Sequence, residues 1–187
     1  MHRTHVPLLV AALLALVAVG CAGDRVEDTE GSVILSVTDF DGLPLRVGVN
    51  SLLNDDAPLI LGQVTVSNIP KDQNANTSSL QDVEMTTYEI VYERVDTGTR
   101  VPPPLVRRIF GVAPVGGTVT YDNLVIMGAE QLENPPLSDL DIFQGGIDSE
   151  TGSQVIKIGF RMRFFGRTIA GDQVATAPAR FDIEFVP

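Results

Sequence analysis

From Ser32 onward the apolar residues recur mainly at every second position, which is the period of a strand with one buried face. Val33, Leu35 and Val37 alternate with Ser32, Ile34, Ser36 and Thr38, and Asp39-Phe40-Asp41-Gly42 reads as a turn leading to Leu45, Val47 and Val49. Leu59 to Ile69 reads as a further strand in which Gly62 marks a bulge, followed by a polar loop from Pro70 to Ser79. In the segment Val83 to Val95, Tyr88, Ile90 and Tyr92 share one face while Glu89 and Glu93 share the other. Asp96-Thr97-Gly98-Thr99 supplies a turn, and the prolines Pro102, Pro103 and Pro104 break any ladder before a short strand from Leu105 to Phe110. Gly116-Gly117 opens the run Thr118 to Met127. Gly128 to Ile147, with Pro135-Pro136, reads as a crossover that holds one helical turn at most, around Leu137 to Leu140.

The sharpest alternation comes last. Ile156, Ile158, Phe160, Met162 and Phe164 alternate with Lys157, Gly159, Arg161 and Arg163, and Phe181, Ile183 and Phe185 alternate with Arg180, Asp182 and Glu184. These two runs predict a hairpin turning between Gly166 and Asp172, with Phe160 and Ile183 in the core and Arg161 and Glu184 in solvent. Pointing both apolar faces inward sets Lys157 across from Asp182 or Glu184, a favourable cross-strand pair. Seven or eight strands without a convincing amphipathic helix predict an all-β domain. An immunoglobulin-like antiparallel β-sandwich is the first reading of it, and a small β-barrel or jelly roll is the alternative. The sole cysteine and the lack of tryptophan remove the usual inter-sheet core of an antibody domain, so the expectation concerns architecture alone.

The first twenty residues break this pattern. A short polar start with His2, Arg3 and His5 precedes an uncharged apolar run from Val6 to Val19, shorter than the roughly 20 residues a membrane-spanning helix needs. It reads as the hydrophobic region of a signal peptide. Leu16-Val17-Ala18-Val19-Gly20 then leads into Cys21 and resembles the lipobox of bacterial lipoproteins, although Ala18 stands where leucine is usual. The resemblance implies cleavage before Cys21, lipidation of its sulfur and acylation of the new amine. Each acyl CH₂ buried in a membrane contributes about 0.8 kcal/mol, so several chains make a durable anchor. Ala22 follows, where aspartate would resemble the inner-membrane retention signal, which favours the outer membrane. The predicted organisation is a signal peptide over 1–20, the lipidated cysteine and a flexible acidic tether over 21–31, and one β domain over 32–187. At about 3.5 Å per residue the tether reaches at most roughly 35 Å. The lipobox, the Tyr88 to Tyr92 strand leading into Val101-Pro102-Pro103-Pro104, and Phe164-Phe165-Gly166-Arg167-Thr168 before Ala170-Gly171 together resemble bacterial lipoproteins that carry a sandwich of this kind. That resemblance carries address and fold and transfers no catalytic residue.

Composition then removes whole classes of chemistry. The formal charge is −11, and one unit more negative without Arg3, which argues against nucleic acid as a partner. With His2 and His5 in the signal region, the rest of the chain holds no histidine, so a Ser-His-Asp triad and histidine-ligated zinc are impossible. Lipidation of Cys21 withdraws the only thiol. Gly116-Gly117 and Gly145-Gly146 lack the spacing of a nucleotide-binding loop, and no cofactor is expected. Carboxylate pairs remain: Asp39 with Asp41, Asp55 with Asp56 and Asp139 with Asp141. They suit the two acids of a glycan hydrolase, and Asp39, Asp41, Asp55 and Asp56 are also the candidate calcium ligands. The spacing is not that of an EF-hand, since the sixth position from Asp39 is Pro44 and the twelfth is Asn50. Arg94, Arg100, Arg107, Arg108, Lys157, Arg161, Arg163, Arg167 and Arg180 crowd into the second half, either as solvated strand faces or as a docking face for an acidic partner. The sequence thus predicts no enzyme. It predicts a membrane-anchored envelope lipoprotein whose domain binds another envelope component, with a calcium- or carbohydrate-binding module next and a carboxylate-dependent glycan hydrolase last.

Overall fold

The computed structural model describes residues 31–74 and 76–187. The signal peptide, Cys21 and the tether through Glu30 lie outside the described residues. The domain is all-β and built from nine strands: β1 (Val33–Asp41), β2 (Arg46–Gly48), β3 (Leu59–Pro70), β4 (Val83–Arg94), β5 (Leu105–Ala113), β6 (Thr118–Met127), β7 (Ile156–Thr168), β8 (Gln173–Ala175) and β9 (Ala179–Val186). A smaller sheet has the order β1-β3-β6, and a larger one the order β2-β9-β7-β4-β5, with β8 pairing the far end of β7 beyond β9. All pairs are antiparallel except β2 with β9. The sheets curl toward each other. Along one side they meet at a single parallel bridge, Leu35 to Thr176, and along the other they are joined by the Pro114–Gly117 connection between β5 and β6.

The inward positions of both sheets make one core, in which Phe160, Phe164 and Phe185 are at most 1% exposed. Phe160 stacks on Phe181 at 4.9 Å and meets the edge of the Tyr92 ring at 5.2 Å. Burying an aromatic tyrosine requires a partner for its hydroxyl. Tyr88 donates to the Val125 carbonyl at 2.8 Å and Tyr92 to the Ile126 carbonyl at 2.7 Å, both on β6. These two bonds clip the sheets together where an antibody domain would use a disulfide. Burial pushes both phenols above their ordinary range.

Several local expectations need correction. The first turn begins later than Asp39, because β1 absorbs an irregularity between Val37 and Asp39 and runs to Asp41; the chain then turns at Gly42, φ +69°. Gly62 is not the bulge, which lies between Leu59 and Ile60. Gly62 is instead a point of close approach, since a Cβ there would lie 3.0 Å from the Asp41 carbonyl oxygen and 3.3 Å from Gly42 Cα. The alternation Leu45, Val47, Val49 yields only the three residues of β2, and Val49 opens helix α1 (Val49–Asn54). Val49, Leu52 and Leu53 stand at helical spacing and pack one face of α1 on the core. The crossover holds more than the single turn expected: helix α2 (Ala129–Leu132), a 3-10 turn at Leu137–Leu140 where the turn was placed, and another at Ile142–Gln144. The last hairpin is split, for β7 continues to Thr168, the chain turns before β8, and β9 returns along the first half of β7.

Candidate functional site

The densest charge cluster joins the β4–β5 connection to the long crossover. Arg94, the last residue of β4, is 3% exposed in its side chain and donates to Asp96 at 2.7 Å and to Asp148 at 2.9 Å. Arg100 reaches Asp139 at 2.6 Å and Asp148 at 3.3 Å, and Glu150 accepts from the backbone of Thr99 and Arg100. Asp148 is fully buried. Burial alone would push its carboxyl up, but hydrogen bonds from Thr151, Arg94 and the Glu150 N–H, with the charge of Arg94, outweigh that and hold it at about 2. Burial likewise opposes, and arginine and other hydrogen bonds overcome, the charging of Asp96 and Asp139, which sit below the usual carboxylate range. Every carboxylate in the cluster is therefore ionised and already bonded. The arrangement fixes the crossover against the sheet and leaves no free base.

One acid of the predicted carboxylate pairs lies in this cluster. Asp139 is bonded to Arg100 and Ser149, while Asp141 accepts from the Phe143 N–H, so the two have separate partners. Asp39 and Asp41 are exposed near the end of β1, where Asp41 accepts from the Gly42 N–H, and Asp55 and Asp56 are exposed after α1. Among the described residues no group of three or more His, Cys, Asp or Glu is placed to hold a metal ion, so these four acids do not converge. Arg94 and Arg100 leave the proposed docking face because the cluster consumes them. Lys157 leaves it too, since it bonds Glu184 across the strands at 2.7 Å, one of the two predicted partners.

Of the rest, Arg107 and Arg108 lie exposed on the edge strand β5, and four lie on the outer face of the larger sheet. Arg161, Arg163 and Arg167 project from β7 and Arg180 from β9, on the side away from the core. None of the four has a carboxylate within 4.0 Å among the described residues. Arg163 lies over the Phe165 ring at 5.5 Å and donates to the Thr176 carbonyl at 3.3 Å, and Arg167 donates to the Gly171 carbonyl at 2.9 Å. Arg161 is half-buried rather than solvated, and its Nε is buried without a hydrogen-bond partner. Glu184 is half-buried as well. Directly across from Arg161 stands Arg180, with Val91 on the other flank. Like charges at opposed positions destabilise a sheet. On the same face Glu89 stands across from Arg163 and Glu84 from Arg167, so the like-charge opposition is confined to Arg161 and Arg180.

No family model matches the chain, and no curated protein matches it. Among solved structures, the solution structure of a protein described as late embryogenesis abundant (LEA) aligns with 97% of this chain and 94% of that chain, at 12% identity and a TM-score of 0.41.

Proposed function

We propose that the chain is an exported bacterial lipoprotein, anchored through Cys21 with the outer membrane as its address, and that its domain is a non-catalytic interaction module for an acidic envelope partner. The lipobox-like run into Cys21 supports the address. The observation that carries the interaction reading is on the outer face of the larger sheet, where Arg161 and Arg180 stand directly opposed and neither has a carboxylate within ion-pair distance among the described residues. Arginine presents a planar fork of donors that suits carboxylates, and function on β scaffolds resides in such surface patches. The finer architectural reading is immunoglobulin-like in layering only, two sheets packed on one core, with the tyrosine clips in place of a disulfide.

The test is co-purification of the full chain from its own envelope, beside a variant carrying Arg161→Ser and Arg180→Ser. A stoichiometric acidic protein should accompany the native chain, be lost with the variant, and dissociate as salt is raised. An unchanged set of co-purifying proteins would sink the arginine-face reading.

A further inference from the structure

Strand β5 ends the larger sheet and pairs only with β4. An exposed edge is a template for another strand, and proteins commonly guard such edges with lysine, proline, short length or a covering element. β2 is three residues long, and the β6 carbonyls at Val125 and Ile126 are taken by the tyrosine hydroxyls. β5 runs for nine residues without proline. Its outward side chains are Val106, Arg108, Phe110 and Val112, and the three apolar ones are 60%, 88% and 51% exposed. Phe110 is the most exposed large apolar residue described.

The sequence of β5 complements itself. Two identical strands that pair antiparallel about a two-fold axis normal to the sheet must centre on one residue, so that opposed side chains share a face. Ile109 is the midpoint, and centring there gives every residue of β5 a partner, with Ile109 and Phe110 at the register irregularity that β5 shows against β4. Val106 then opposes Val112 at each end. Arg108 opposes Phe110 twice, a cation-π geometry. Centring on Arg107 or Arg108 would set like charges against each other, and centring on Phe110 would run Val106 onto Pro114, beyond the strand. On the inward face Arg107 of one copy opposes Gly111 of the other. The Tyr121 hydroxyl, buried without a hydrogen-bond partner, lies 2.8 Å from where a Gly111 Cβ would stand. It is an acceptor beside the position that the second copy's Arg107 would take.

We propose that β5 pairs with β5 of a second copy of this chain, centred on Ile109, so that two larger sheets become one. The formal charge of −11 on each chain opposes this at low salt, so the pairing strengthens as ionic strength rises, opposite to the salt dependence of the arginine face. The two readings therefore fail separately.

The test uses the full chain carrying Cys21→Ser, so that introduced thiols are the only ones. One preparation adds Val106→Cys and another Val112→Cys, and a short bis-maleimide is applied to each alone and to their mixture. The register demands a covalent dimer from the mixture and at most a tenth as much from either alone, and more of it in high salt. Phe110→Arg in the Val106→Cys chain should cut the mixed product at least tenfold by opposing Arg108, whereas Phe110→Glu at the same exposed position should retain it. Equal yields from mixed and separate chains, equal effects of Arg and Glu at position 110, or capture of a different protein in place of a second copy would each overturn the pairing.

Discussion

Replacing Asp148 by asparagine removes one charge from the centre of the buried cluster while keeping its shape. A carboxyl held at about 2 in the fold against its ordinary 3.8 contributes on the order of 2 kcal/mol at neutral pH, at about 1.4 kcal/mol per pH unit. Its side chain is 0% exposed, so solvent screening does not reduce that figure. Breaking a buried pair from one side costs about 3–5 kcal/mol where the other charge is left alone. Arg94 keeps Asp96 at 2.7 Å, which places the expected loss between these figures, at about 3 kcal/mol. The folded carboxyl ionises more readily than the unfolded one. Its stabilisation is therefore complete above about pH 5, shrinks as pH falls through 4 and 3, and is gone below about 2. Urea melts of native and Asp148→Asn protein at neutral pH and at steps down to pH 3 measure the difference directly. Exposed Asp39→Asn serves as control and should change stability by no more than about 0.5 kcal/mol. A loss under about 1 kcal/mol at neutral pH, or one that stays constant on acidification, would refute this account of the cluster.

Two further expectations concern the proposed anchor and the core. Cys21→Ser should abolish incorporation of labelled fatty acid and leave the protein unprocessed, and label persisting in the variant would disprove the lipobox assignment. Phe160→Ala should cost about 3–5 kcal/mol in a urea melt, because the ring is 1% exposed and packed on two aromatic neighbours. Arg161→Ala should stay within roughly 0.5 kcal/mol or stabilise, since it relieves the opposition to Arg180; equal losses from these two substitutions would mean that the faces of β7 are reversed.

Alternation made β7, β9 and the Tyr88–Arg94 part of β4 readable from the chain alone, and it set Lys157 opposite Asp182 or Glu184, of which the structure has Glu184. On these stretches a one-residue slip would expose the buried apolar residues. Around Val49 the same reading failed, because Val47 and Val49 satisfy a period of two while Val49, Leu52 and Leu53 satisfy a helical one. The parallel contact of β2 with β9 joins segments more than a hundred residues apart, which no local pattern encodes. At the site, alternation correctly turned Arg161, Arg163 and Arg180 outward, but it could not show which cations find acids. Arg94 and Arg100 find theirs in the crossover, through pairings decided by loops with no periodicity at all. A signal for that cluster was nevertheless present. Asp148-Ser149-Glu150-Thr151 concentrates short-range acceptors and hydroxyls beside a glycine turn, a composition that favours side-chain bonds to nearby backbone.

The two sheets touch mainly through side chains. Apart from the Leu35–Thr176 bridge and the strand connections, backbone hydrogen bonding runs within each sheet and stops at its margin. Side-chain packing, the two phenolic bonds and the Asn68 amide, which donates from β3 to the Ala113 carbonyl on β5, thus hold two separately bonded sheets together. Amide protons in β3 and in β7 are accordingly expected to exchange independently, since a parting of the sheets would wet the aromatic interior yet break few of the bonds that guard either set.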